Sequence, residues 1–123
     1  MIVIDKQSRI PIYEQLIDGI KNDILNSFLE PDELIPSVRA LSIELGINPN
    51  TIQKAYNELE RLGITQSVPG VGRYVAKDAA AIIRNEMENS QELSKNILDL
   101  KNAGYSLDKI IEKIKFIYGG EEK

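Results

Sequence analysis

Apolar residues along this chain recur at spacings that alternate between helix and strand. Ile2-Val3-Ile4 is a short β-prone run and predicts an edge strand. From Pro11 the spacing becomes helical. Ile12, Leu16, Ile17, Ile20, Ile24 and Phe28 form one stripe, and Pro31 is expected to end that helix. Ser37 is placed to cap a second helix, with Val38, Leu41 and Leu45 on its inner face and Gly46 as its stop. Asn48 and Pro49 then open a third, because a cap residue followed by proline suits the first helical turn. Its inner face carries Ile52, Ala55, Tyr56, Leu59 and Leu62, and Gly63 closes it. Two short helices joined by a tight turn containing glycine make a helix-turn-helix. Residues 64–68 and 73–76 flank Pro69-Gly70-Val71-Gly72, so a β-hairpin follows directly. A hairpin in that position is the wing of a winged helix.

Beyond Asp78 the pattern predicts one long helix. Ile83, Met87, Leu93, Ile97 and Leu100 step by three or four residues, with Ser90 at the intervening seam position and Gly104 as the break. Ser106 caps a last helix, with Leu107, Ile110, Ile111, Ile114 and Ile117 on one side. The expected fold is therefore mainly α with a small β-wing. A winged helix-turn-helix domain spans 1–77 and a two-helix segment spans 78–123. Some 45 residues are too few to bury a core alone. The apolar faces of the tail must meet a second copy, each other, or the first domain. A two-fold dimer is the favoured expectation, with Ile83, Met87, Leu93, Ile97, Leu100, Ile110, Ile114 and Ile117 as its contacts. It would set two recognition helices about one helical turn of DNA apart.

Composition narrows the chemistry. The chain has 123 residues, of which 42% are hydrophobic and 28% charged, and it contains no Cys and no His. Disulfides, zinc fingers and imidazole catalysis are thereby excluded, and no metal or cofactor is expected. No apolar run reaches the ~20 residues needed to span a bilayer, and no signal peptide is visible, so a cytoplasmic protein without membrane contact is expected. The net charge of −4 does not oppose DNA binding, because the charge is unevenly spread. Residues 46–77 hold four bases (Lys54, Arg61, Arg73, Lys77) against two acids (Glu58, Glu60), while the acidic excess lies on either side.

A helix-turn-helix reads base edges from the first turns of its second helix. Here that stretch presents Asn48, Asn50, Thr51, Gln53 and Lys54, with Ile52 turned inward. Asn and Gln match adenine, a Thr methyl meets the thymine methyl, and Lys reaches phosphate or guanine. A polar helix start is also what any exposed helix shows. Ser37 and Arg39 begin the helix that crosses the DNA backbone. Arg39 would contact phosphate or a base edge, or else pair with Glu44. In the wing, Gly70 and Gly72 would let the backbone approach DNA, although glycines are ordinary in hairpin turns. Arg73 would enter the minor groove or clamp a phosphate. Tyr56 is expected to be half core and half phosphate-facing hydroxyl.

Three stretches together resemble the GntR family of bacterial regulators. They are Pro36-Ser37-Val38-Arg39-Ala40-Leu41, the run from Glu44 to Tyr56, and Leu59-Glu60-Arg61-Leu62-Gly63. Pro11-Ile12-Tyr13-Glu14-Gln15-Leu16 resembles the family's first helix, so the likeness covers roughly Pro11 to Ala76. It implies a sequence-specific transcription factor that binds a double-stranded operator, with contacts at Arg39, Asn48, Asn50, Thr51, Gln53 and Gly70. Many members carry arginines where this chain has Pro49 and Gln53, a glycine at Asp32 and a basic residue at Val71. The operator therefore cannot be copied from them. The Asn-Pro-Asn-Thr form with a short tail is similar to the YtrA-type subfamily, which implies a homodimeric repressor.

Other classes fit less well. A winged helix that binds protein instead of DNA would present an acidic or apolar recognition face, whereas this one is polar to basic. An enzyme is not expected: there is no nucleophile elbow, and Gly70-Val71-Gly72 lacks the spacing and following helix of a phosphate loop. An unknown small-molecule effector bound between the tail helices stays open.

Overall fold

A computed structural model describes residues 2–120. The order of elements is α1 (Ile12–Leu25), α2 (Val38–Leu45), α3 (Pro49–Arg61), β1 (Thr65–Val68), β2 (Gly72–Val75), α4 (Ala79–Glu88), α5 (Glu92–Asn102) and α6 (Leu107–Gly119). The chain divides into two compact units, one running to Glu88 and the other starting at Asn89.

In the first unit α1 packs on α3 and α4, and α2 packs on α3. Leu16, Ile20, Ile52, Leu59, Ile64, Val75 and Ile83 are fully buried between them. Local chemistry fixes the helix-turn-helix. The Ser37 hydroxyl accepts from the Ala40 N–H at 3.0 Å and Gly46 ends α2 at φ +66°. The Asn48 side chain accepts from the Asn50 N–H at 2.8 Å, and Pro49 occupies the first turn of α3, where no N–H is needed. Ser42 stiffens the turn by donating to the Ile47 carbonyl at 2.6 Å. In the wing β1 and β2 run antiparallel, with Thr65 opposite Val75 and Val68 opposite Gly72.

Four expectations are corrected. First, α1 stops at Leu25, well before Pro31, because Ser27 takes φ +63° and the Asp23 carbonyl accepts from the Phe28 and Leu29 N–H groups. Phe28 consequently leaves the stripe and is 63% exposed. Second, residues 2–4 form no strand: Ile2 and Ile4 pack against the helical core. The segment that lines the free edge of β2 is 32–35 instead. The Asp32 N–H donates to the Val75 carbonyl, Val75 to Glu33, and Ile35 to Arg73, all at 2.8–2.9 Å.

Third, the long helix expected beyond Asp78 is two helices. Asn89, Ser90 and Gln91 separate them, and the Ser90 hydroxyl accepts from the Glu92 N–H at 3.1 Å. Ser and Asn compete in this way for backbone partners, which favours a break over a continuous helix. Ser90 thus holds no seam position. Fourth, α4 is part of the first unit. Ala79 and Ile83 are each 1% exposed in its core, and Lys21 of α1 pairs with Glu86 of α4 at 2.8 Å. Burial of an isoleucine side chain contributes about 1.5–3 kcal/mol, so Ile83 holds α4 on the first unit rather than serving a partner.

The second unit is a helix pair. Gly104, at φ +98°, turns the chain between them, and the Ser106 hydroxyl caps α6 by accepting from the Lys109 N–H. None of its described residues is buried.

Candidate nucleic-acid interface

The start of α3 carries side chains that have no protein partner. Asn50 and Lys54 are exposed and Thr51 is half-buried, and none of the three side chains forms a hydrogen bond or ion pair among the described residues. Asn48 spends its carbonyl oxygen on the cap, which leaves its NH2 group to offer. Arg39, in the first turn of α2, is exposed and unpaired among the described residues, so the alternative of an ion pair with Glu44 does not hold. Ser37 is exposed beside it; its hydroxyl accepts the cap bond and can still donate. The first turn of α3 also carries the positive end of the helix dipole, which favours a phosphate, although its Asn50, Thr51 and Ile52 N–H groups already donate to Asn48. At the far end Arg61 is bound to Glu58 at 2.6 Å, and that hydrogen bond holds the Glu58 carboxyl below its ordinary range. The free positive charge of the motif therefore falls on Arg39 and Lys54.

Tyr56 departs from expectation. It is 1% exposed and its hydroxyl donates to the Pro36 carbonyl at 2.8 Å, so no part of it faces a phosphate. Burial pushes its phenol up to about 12, an effect partly offset by the Arg73 charge. The bond ties the recognition helix to the residue preceding the cap of α2, so Tyr56 positions the motif from within.

Arg73 is also placed differently from expectation. Its guanidinium lies 5.3 Å from the centre of the Tyr56 ring, within cation–π range. Nε donates to the Ser67 hydroxyl at 3.1 Å and stands 3.5 Å from Glu60, and Nη2 donates to Asn57 Oδ1 at 3.3 Å. Ser67 in turn donates to Glu60 at 2.6 Å. Arg73 is thus engaged in joining the wing to α3. At the wing tip Gly70 is open, and a side chain there would meet nothing within 4 Å, but its φ of +79° favours glycine. Gly72, at φ +127°, sits against Leu34.

Sequence reading missed Asn57. It is exposed and accepts from Gln53 Nε2 at 2.9 Å, one turn away on the same helix. The spacing of four between Gln53 and Asn57 was the available signal. The partnership with Arg73, sixteen residues on, left no local trace.

Residues 12–75 match the model of the bacterial regulatory proteins of the gntR family. The chain belongs to the GntR family. It is 41% identical over 119 residues to the HTH-type transcriptional repressor YtrA of Bacillus subtilis, covering 95% of this chain and 92% of that protein. A GntR family transcriptional regulator from Listeria monocytogenes superposes with a TM-score of 0.75 at 34% identity, covering 91% of this chain and 97% of that one. The AraR DNA-binding domain, solved in complex with operator ORR3, matches with a TM-score of 0.53 at 31% identity, over 60% of this chain and 89% of that one. This GntR protein is accordingly a DNA-binding transcriptional regulator with a winged helix-turn-helix, and not an enzyme.

The expected dimer contacts separate into two groups. Ile83 is removed from them by its burial in the first unit. Met87, Leu93, Ile97, Ile114 and Ile117 are exposed, and Leu100 and Ile110 are half-buried. Within the second unit Leu100, Ile110, Tyr105 and Phe116 line a groove of about 610 Å3 edged by Lys109, Glu112 and Lys113. Among the described residues no cluster could hold a metal ion, and no helix is long and apolar enough to cross a membrane.

Proposed function

We propose that this GntR protein is a cytoplasmic repressor that binds a two-fold operator as a homodimer. The observation that carries the reading is the set of unpaired side chains at the start of α3, with free Arg39 alongside. In this reading Asn48, Asn50, Thr51 and Gln53 meet base edges in the major groove. Arg39, Lys54 and the Ser37 hydroxyl meet the backbone or its nearest bases, and the glycine-rich wing tip at Gly70 and Gly72 approaches sugar and phosphate. Tyr56 and Arg73 support this face from behind.

Dimerisation rests on the second unit. Leu93, Ile97, Ile114 and Ile117 remain exposed, and an apolar face of this kind is costly in water unless a partner covers it. A second copy gives the closed, two-fold arrangement that a palindromic operator requires. Repression is supported by the likeness to YtrA, a protein named as a repressor, along nearly its whole length.

Footprinting of the purified protein on the DNA upstream of its own gene tests this, together with transcription from that promoter. Two protected half-sites about one helical turn apart, and less transcript as protein is added, are expected. A single protected half-site bound by a monomer, or transcription that rises with protein, would overturn the dimeric repressor.

A further inference from the structure

Gln53 is the α3 side chain in the reading position whose amide is already held. Its Nε2 donates to Asn57 Oδ1 at 2.9 Å, and Arg73 Nη2 donates to the same oxygen at 3.3 Å. Two donors on one oxygen decide which way the Asn57 amide faces: turned over, its NH2 group would abut a guanidinium and another NH2 group. Asn57 therefore always offers oxygen to Gln53, and Gln53 must answer with an N–H. Arg73 is itself fixed by Ser67, by the Tyr56 ring and by the nearby Glu60 carboxylate. The wing thus sets the orientation of an amide on the recognition helix.

This matters because an unrestrained glutamine is ambiguous. Its Oε1 with one N–H matches the N6 donor and N7 acceptor of adenine. Its NH2 group alone, donating both protons, can serve the N7 and O6 acceptors of guanine. Asn57 consumes one of those two protons. What remains on Gln53 is one acceptor and one donor, which fits adenine and places an oxygen against the acceptors of guanine.

We propose that Asn57 is a specificity-determining positioning residue: held by Arg73, it locks the Gln53 amide in the orientation that reads adenine and rejects guanine. This rests on the reading above that Gln53 meets a base edge. Asn57 is exposed on α3, so its replacement leaves the core intact.

The test is a competition measurement at each base pair of the footprinted half-site, for the full-length protein and three variants. Wild type is expected to prefer A·T over G·C at one position by about 5- to 150-fold, as a bidentate contact gives. Gln53→Ala loses that preference and no other. Asn57→Ala keeps Gln53 but lets its amide turn, so the preference at the same position falls to about twofold while the remaining positions keep theirs. Asn57→Asp still accepts from both donors and keeps the preference, although its added charge lowers affinity for every sequence alike. A merely structural role for Asn57 would lower binding without changing the ratio at one base pair. An Asn57→Ala protein that discriminates like wild type would overturn the proposal, as would an Asn57→Asp protein that loses discrimination along with it. If Gln53→Ala leaves every base preference intact while the operator is still bound specifically, Gln53 reads no base and the proposal falls alone. Absence of any specific binding by wild type would instead bring down the operator reading beneath it.

Discussion

Replacing Tyr56 with phenylalanine separates two roles for its hydroxyl. The ring fills a site that is 1% exposed and lies beneath Arg73, and phenylalanine keeps both features. What is lost is one hydrogen bond, 2.8 Å long, to the Pro36 carbonyl. A net hydrogen bond contributes about 0.5–1.5 kcal/mol, and more when the abandoned partner stays buried. Pro36 is exposed, so water can recover its carbonyl and the expected loss is ~1 kcal/mol. For a unit of this size that lowers the melting temperature by roughly 4–8 °C. A second signature comes from titration. The folded phenol holds its proton to about 12, whereas an unfolded tyrosine releases it near 10. The folded state therefore binds more protons across that window. The contribution of Tyr56 is intact below pH 10 and is lost as the pH rises from 10 to 12. Thermal melts of wild type and variant, at neutral pH and across that window, should show a lower melting temperature for the variant and a shallower alkaline decline. Operator affinity, measured well below the melting transition, should be unchanged. A variant that melts within about 1 °C of wild type but binds DNA tenfold more weakly would refute the reasoning, because the hydroxyl would then serve the phosphate backbone and not Pro36.

Three further outcomes are expected. Arg39→Ala should weaken operator binding by ~1–3 kcal/mol in a gel-shift titration if Arg39 makes a specific base contact, and unchanged affinity would remove it from the interface. Ile97→Asp should sediment as a monomer where the proposed homodimer is expected of wild type, while leaving the melting of the first unit untouched; Ile83→Asp should instead unfold that unit, since it buries an unpaired charge. Thr65→Val should raise stability by about 1 kcal/mol in a denaturant titration, because the buried Thr65 hydroxyl has no hydrogen-bond partner among the described residues; a loss of stability would reveal one.

The parts of this molecule that were legible in its sequence are those whose cause is local. Ser37, Gly46, Asn48 and Pro49 act on their own backbone neighbours, and each stands where capping chemistry predicted. The polar start of α3 and the glycine turn of the wing are legible for the same reason. The errors share a different origin. Ser27 turns the chain at φ +63° without being glycine, so the end of α1 carries no local signal and Pro31 is the first visible stop. Asp32 likewise takes φ +67°, which accounts for the glycine that many GntR members have there, and its carboxylate pairs with Lys77 at 2.7 Å. Ile83 lies on a helical stripe that looks the same whether it faces its own core or a partner, so periodicity could not assign it. Tyr56 and Arg73 read as DNA contacts in the sequence because their partners, Pro36 and Asn57, are twenty and sixteen residues away. Side-chain networks between a helix and a wing leave no period in the sequence.

Recognition of a particular DNA sequence by the α2–α3 face with its wing is tested most directly by equilibrium binding of the purified protein to its own upstream DNA and to an unrelated fragment, over a salt series. Tighter binding to the upstream fragment, by about a thousandfold or more, together with affinity for both fragments that falls as salt rises, is the predicted result. Equal affinity for the two fragments at every salt concentration, or binding to neither even with cell extract supplied as a source of effector, would contradict it.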